Sequence, residues 1–294
     1  MSDKRILDII ASPADLKLLS NEELSILAGE IRHEIVTTTS KTGGHVASSL
    51  GAVEIILALH SLLDCPKDKI VFDVGHQAYA HKLVTGRLKD FGTLRTYGGL
   101  SGFPKPSESP YDVHYSGHAS DSLSVALGLA EARDLAGADQ KVVALIGDAA
   151  LSGGMAFEAL NNIGQAQTPM VIILNDNEMS ISHNVGALMK HLGYMRASSQ
   201  YRQARDNVQE HLESSGPVGK AITNFGRSMK ESMKQFVIPR SMIFEQLGIL
   251  CTAPIDGHDI GALRETFSTV LATDGPVLMH VVTRKGQGYM PAVR

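Results

Sequence analysis

The chain has 294 residues, a formal net charge of −4 with histidine neutral, a hydrophobic fraction of 43% and a mean hydropathy near zero. That length suffices for one large α/β domain or two small ones with a real core, and the charge gives no electrostatic case for nucleic acid or an anionic membrane as partner. Cys65 and Cys251 form no CxxC, the start Met1-Ser2-Asp3-Lys4-Arg5 is no signal peptide, and no run approaches the ~20 apolar residues of a membrane span, all of which points to a cytoplasmic protein with reduced thiols.

Ser20-Asn21-Glu22-Glu23 has the form of a capping box, and Leu24, Leu27, Ile31 and Ile35 recur at helical spacing after it, which predicts an amphipathic helix over 21–38. A more apolar helix is expected over 47–63. Ile70-Val71-Phe72-Asp73-Val74 reads as a buried strand running into Gly75-His76-Gln77. Residues 119–136 are rich in Ala, Gly and Ser, a composition that lets a helix pack closely on a sheet. Strand 142–146, helix 153–166 and strand 170–174 form a βαβ unit, which implies parallel pairing. Asp259 caps a helix over 260–273, Asp274-Gly275-Pro276 stops it, and a strand Val277–Thr283 follows. The alternation defines an α/β fold with a doubly wound, mainly parallel sheet and helices on both faces, in a single domain over 1–294. From 183 to 240 the chain is polar and lacks β-branched runs, so a mobile helical insertion is expected there.

Two polar signatures close apolar runs: Gly147-Asp148-Ala149 after Val142–Ile146, and Asn175-Asp176-Asn177 after Val171–Leu174. One βαβ crossover apart, they fall at the carboxyl edge of a parallel sheet, where open α/β folds bind ligands. Asp148 offers a carboxylate and Asn177 a carboxamide oxygen. The Met179 carbonyl can complete the protein share of an Mg²⁺ shell whose remaining ligands are diphosphate oxygens and water. Taken singly, each motif is equally compatible with strand-to-helix turn chemistry. Gly-His recurs at Gly44-His45, Gly75-His76, Gly117-His118 and Gly257-His258. The first three fall at junctions where glycine allows close approach to a ligand and imidazole can bond phosphate or move protons. Zinc is disfavoured, because no cysteine joins them. Asp256, His258 and Asp259 read as turn and capping residues. Lys285-Gly286-Gln287-Gly288-Tyr289 is either an ordinary loop or one whose Lys and Tyr reach a cofactor.

Several longer strings resemble the 1-deoxy-D-xylulose-5-phosphate synthase family, a branch of the transketolase-like thiamine diphosphate enzymes. They are Lys41-Thr42-Gly43-Gly44-His45-Val46-Ala47-Ser48, Asp73-Val74-Gly75-His76-Gln77-Ala78-Tyr79, Gly153–Asn161, Leu174–Ser182, Asp256-Gly257-His258-Asp259 and Lys285–Tyr289. The resemblance implies thiamine diphosphate and Mg²⁺ as cofactors, pyruvate and glyceraldehyde 3-phosphate as substrates, loss of CO₂, and a place in isoprenoid and thiamine biosynthesis. It further implies Asp148, Asn177 and the Met179 carbonyl as metal ligands. His76, Gly117, His118, Ala119, Ala149, Ala150, Asn177, Lys285 and Tyr289 match cofactor-contacting positions, and His45 and His76 match substrate-side histidines.

Three departures from the family pattern stand out. Ala149 occupies the last position of a usual Gly-Asp-Gly; a positive φ there would cost about 1 kcal/mol or more. Gly117-His118-Ala119-Ser120-Asp121-Ser122 replaces a Ser/Thr-rich string and introduces the Asp121 carboxylate. The family's chain is about twice as long, and its second part supplies a glutamate for the aminopyrimidine and arginines for the substrate phosphate. The expectation is therefore an N-terminal half or subunit of a split enzyme, acting with a second chain that carries the pyrimidine-binding and C-terminal domains, as a homo- or hetero-oligomer. The alternatives are a non-catalytic cofactor-binding half and a split transketolase subunit for another sugar phosphate.

Overall fold

A computed structural model describes residues 5–177, 186–197 and 243–292, without the side chains of 189 and 194–197. Among the described residues six strands make one sheet: β1 (Lys69–Phe72), β2 (Val142–Gly147), β3 (Met170–Asp176), β4 (Leu250–Cys251), β5 (Ile255–Asp256) and β6 (Pro276–Val282). The order is β1-β2-β3-β6-β4, with β5 following β4 along the same edge of β6. Every pairing is parallel. Consecutive side chains in a strand point to opposite faces, and the buried apolar residues divide accordingly. Phe72, Val143, Leu145, Ile173 and Met279 join the helices Asn21–Thr42, Val53–His60 and Ile260–Val270 on one face. Val71, Ala144, Ile146, Ile172 and Leu278 join Ser122–Leu135 and Gly154–Ala166 on the other. This is the doubly wound α/β architecture that the alternation predicts.

The capping box forms: Ser20 Oγ accepts from the Glu23 N–H at 3.1 Å, and the Glu23 carboxylate accepts from the Ser20 N–H at 2.8 Å. The helix it starts runs four residues beyond the expected end, to Thr42. The expected helix 47–63 is two helices, Val46–Gly51 and Val53–His60, broken at Ala52. The break adjoins Gly51, where a Cβ would lie 3.0 Å from the Arg284 carbonyl oxygen; the C-terminal loop rests on the helix there. Strand β1 ends at Phe72 rather than Val74, because Val74 adopts φ 57, outside the extended region and costly for a β-branched residue. Helix Ser122–Leu135 starts three residues later than expected, since Gly117–Asp121 is a loop. Strand β3 runs two residues further than expected, to Asp176, so that Asn177 stands at its exit.

The cysteines are unpaired, and burial pushes both thiols up to about 12, consistent with inert packing residues. Among the described residues no helix is long and apolar enough to cross a membrane. The insertion expected over 183–240 lies mostly outside the described residues, which within it include only a helix, Ala187–Ala197.

Candidate functional site

The carboxyl ends of β1, β2, β3 and β6 lie side by side, and each feeds one candidate motif. Gly147 of β2 is in register with Asn175 of β3, so Asp148 and Asn177 leave neighbouring strands at one edge. Asp148 is buried, at 3% exposure, and opens a short helix, Asp148–Leu151. Its Oδ1 accepts from the Ala149 N–H at 2.8 Å. Ala149 is helical and is absent from the positive-φ residues, so the alanine in place of glycine carries no backbone penalty. The three side chains of Asn175-Asp176-Asn177 divide their duties. Asn175 Oδ1 accepts from Thr283 Oγ1 at 2.6 Å. Asp176 pairs with His280 Nε2 at 2.8 Å, both fully buried. These two tie β3 to β6 internally, and Asn177 is the member beyond the strand. Met179 lies outside the described residues.

At the end of β1 the chain turns sharply. The Gly75 N–H bonds the Asp73 carbonyl at 2.5 Å across Val74, and Gly75 has φ +79. A Cβ on Gly75 would collide with Pro104 and come within 2.9 Å of Ser116 Cβ, so only glycine fits. The Asp73 carboxylate, 1% exposed, accepts from Ser120 N (2.9 Å), Ser122 N (3.2 Å) and Ser122 Oγ (2.8 Å). The Val74 N–H bonds the His118 carbonyl at 3.2 Å, and Ser120 Oγ donates to the Ala150 carbonyl at 2.7 Å. The loop Gly117–Asp121 is thus pinned between the β1 exit and the Asp148–Leu151 helix. It carries Gly117 at φ +138 with open space at its missing Cβ.

Following the turn, His76 meets His45 edge-on at a centroid distance of 5.7 Å, and His45 meets Phe103 at 5.5 Å. Tyr79 fixes the entry to the His45 helix by accepting from the His45 N–H at 3.1 Å, and Ser49 Oγ donates to the His76 carbonyl at 2.9 Å. The Gly286 N–H bonds the Ala47 carbonyl at 2.8 Å, which brings Lys285 beside this pair. Tyr289, 38% exposed, follows on the same loop. Burial holds the His45 imidazolium down, aided by Arg95. Burial, His45 and Lys285 push His76 down to about 4. Both rings are therefore neutral at pH 7. Their Nδ1 atoms are buried without a hydrogen-bond partner in the structure, as is Asp121 Oδ1, which sits 4.0 Å from His114 Nε2.

The sign of the resulting pH dependence is fixed. The unfolded chain, with histidines near 6.5, binds more protons than the folded one between about 4 and 6.5. Stability falls as pH drops through that window and gains nothing from these groups above it. His76→Asn should flatten the slope by up to about 1.4 kcal/mol per pH unit, the limit for one proton; urea midpoints at pH 7.5, 6 and 5 measure it.

His258 bridges two segments distant in the chain. Its Nε2 accepts from the Arg284 N–H at 2.8 Å and its Nδ1 meets Glu54 at 3.1 Å, while Glu54 also pairs with Arg32 at 2.5 Å. Asp259 caps its helix through the Ala262 N–H at 2.9 Å. The turn-and-cap reading holds for Asp256, which accepts the His258 N–H at 2.9 Å, and for Asp259, but not for the His258 side chain, which ties Glu54 to the Arg284 backbone instead. Sequence reasoning missed Asp73, Arg95 and Phe103. Asp73 was visible as a lone carboxylate at a strand end; Arg95 and Phe103 belong to a loop with no periodic signal.

Among the described residues no three His, Cys, Asp or Glu side chains cluster as an all-protein metal cage. One buried carboxylate and one carboxamide at adjacent strand ends fit a hard divalent cation that takes most of its ligands from phosphate and water. The open Gly117 and the imidazole nitrogens without a hydrogen-bond partner fit a polar ligand at the same sheet edge.

The sheet and its edge define a doubly wound α/β domain whose candidate motifs gather at the carboxyl ends of its parallel strands. The structure resembles transketolase from Campylobacter jejuni subsp. jejuni NCTC 11168 with TM-score 0.66 at 19% identity, over 90% of this chain and 38% of that one. It also resembles transketolase from Leishmania mexicana with TM-score 0.61 at 18% identity, over 92% and 37%; at these identities the likeness is one of fold. The family model for 1-deoxy-D-xylulose-5-phosphate synthase, in its N-terminal part, matches residues 7–283, and the chain belongs to that family. It is 51% identical to 1-deoxy-D-xylulose-5-phosphate synthase of Carboxydothermus hydrogenoformans over 97% of this chain and 46% of that protein. It is 53% identical to 1-deoxy-D-xylulose-5-phosphate synthase 2 of Geobacter sulfurreducens over 98% and 46%. The chain therefore spans about half the length of the relatives it matches.

Proposed function

We propose that this chain is the metal- and diphosphate-binding half of an enzyme that condenses pyruvate with glyceraldehyde 3-phosphate with loss of CO₂, and that it acts only with the remaining domains of the family, on a second chain or as part of a longer one. Residues 1–294 form one domain in this reading. Asp148, Asn177 and the Met179 carbonyl hold Mg²⁺. Gly117, His118, Ala119, Ala149, Ala150, Asn177, Lys285 and Tyr289, together with His76, would contact the diphosphate and the rest of the cofactor. His45 and His76 face the substrates. Thiamine diphosphate, when bound, would supply the electron sink for the electron pair left on the pyruvate carbonyl carbon as CO₂ departs. The neutral imidazoles are suited to exchanging a proton with substrate oxygens at pH 7, and Lys285 adds positive charge for anionic groups.

The observation that carries the reading is the placement of Asp148 and Asn177 at adjacent parallel strand ends beside a neutral histidine pair, in a chain of this family. The test is turnover. The chain alone should release no CO₂ from pyruvate and glyceraldehyde 3-phosphate. Mixed with a chain bearing the second half of a family member, it should form 1-deoxy-D-xylulose 5-phosphate. Turnover by the chain alone overturns the need for other domains. Cofactor binding without product in the mixture overturns the catalytic reading in favour of a binding half.

A further inference from the structure

Behind the histidine pair lies a buried ionic network that the proposed reaction does not use. Its cations, Lys82 and Arg87, come from the helical segment that begins three residues after His76; its anions, Glu108 and Asp112, come from the following loop. Arg87 grips Asp112 with both terminal nitrogens, at 2.7 and 3.0 Å, and reaches Glu108 at 2.9 Å. Lys82, fully buried, pairs with Glu108. His81 Nε2 meets Asp112 at 3.0 Å, and His81 Nδ1 meets His60 Nε2 at 2.8 Å. Two cations and two carboxylates balance while both imidazoles stay neutral, and burial pushes both down. Removing one member of such a network leaves an uncompensated buried charge.

The carboxylates also face the other way. Glu108 Oε2 accepts the Ser101 N–H at 2.7 Å, and Asp112 Oδ2 accepts the Lys105 N–H at 2.8 Å. They hold the two ends of a five-residue segment. Its middle supplies Phe103, against the His45 ring, and Pro104, which occupies the space beside Gly75 next to His76. The path closes on itself: the helix after His76 carries the cations, these hold the carboxylates, and the carboxylates hold the segment that covers His45 and the turn into His76.

We propose that Asp112, with Glu108, is a positioning residue that clamps Ser101–Lys105 over the His45–His76 pair and so sets the burial, and through it the protonation, of those two rings. A role in the reaction follows only if the functional reading above holds; the clamp itself is testable without it. In Asp112→Asn the Lys105 contact weakens, water reaches the pair, and the His76 titration rises from about 4 by at least one unit. Histidine C–H resonances followed by NMR from pH 3.5 to 8 in the 294-residue chain report this, with circular dichroism confirming the fold. A folded Asp112→Asn whose His45 and His76 titrations stay within 0.2 units (roughly the resolution needed against a shift of this size) overturns the clamp. If Asp112→Asn does not fold, Glu108→Gln decides by the same criterion, and failure of both to fold assigns the network to stability alone and overturns the proposal. Absence of product when the chain is mixed with the second half of a family member would sink the functional reading and leave the titration result standing.

Discussion

Asp148→Asn is expected to weaken Mg²⁺-dependent binding of thiamine diphosphate by about 10–100-fold while leaving the fold intact. The substitution keeps the shape and an oxygen for the Ala149 N–H, but it turns the charged member of the proposed ligand pair into a second neutral carboxamide. Magnesium depends on a carboxylate to offset its dehydration, and losses of this size accompany even the outer groups around metal sites. The informative control is Asp176→Ala. Asp176 belongs to the second strand-end signature yet sits in a fully buried contact with His280. Its loss should cost about 3 kcal/mol of stability and, below the lowered melting point, little affinity. Calorimetry on the chain alone and mixed with the missing domains, with thermal melts alongside, separates the two. Equal binding by Asp148→Asn and the parent would remove the metal site from Asp148.

The contrast between those carboxylates marks how far the sequence was legible. The doubly wound sheet was readable because Val142–Ile146 and Val171–Leu174 are short continuous apolar runs rich in β-branched residues, with polar exits, as strands buried on both faces are. The placement of Asp148 and Asn177 at neighbouring strand ends was readable because one crossover separates them. What was not readable depends on contacts between distant segments. Nothing local distinguishes Asp176, consumed by His280, from Asn177 at the strand exit. The effect of Ala149 was unreadable without its backbone angle, which the structure shows to be helical. The network of His60, His81, Lys82, Arg87, Glu108 and Asp112 joins residues from 60 to 112 through a loop without periodicity, so its charges read as surface charges until the fold brings them together. The strain at Val74 and Gly75 was likewise hidden in an ordinary strand end.

Asp73→Ala is expected to destabilise the domain by about 3–5 kcal/mol and to free the loop Gly117–Asp121 from the sheet. The carboxylate accepts three hydrogen bonds at 1% exposure, and each buried donor left unpaired costs about 1–3 kcal/mol, less whatever water recovers by entering the cavity. Asp73→Asn should cost far less, under about 2 kcal/mol. Burial raises the Asp73 carboxyl above its ordinary range, which means the fold opposes the charge, and a neutral carboxamide keeps one acceptor without it. The order Ala ≫ Asn in urea denaturation distinguishes a hydrogen-bond anchor from an ion-pair partner, for which both replacements would cost about the same. The functional consequence follows from position. The loop joins the β1 exit, through the His118 carbonyl, to the Asp148–Leu151 helix, through the Ala150 carbonyl. Once it is released, Gly117–Ala119 no longer holds a fixed place beside Asp148. In a chain stabilised by osmolyte to restore folding, Asp73→Ala should therefore still bind thiamine diphosphate more weakly than Asp73→Asn. Equal affinities in the two refolded variants would show that the loop serves stability without shaping the diphosphate site.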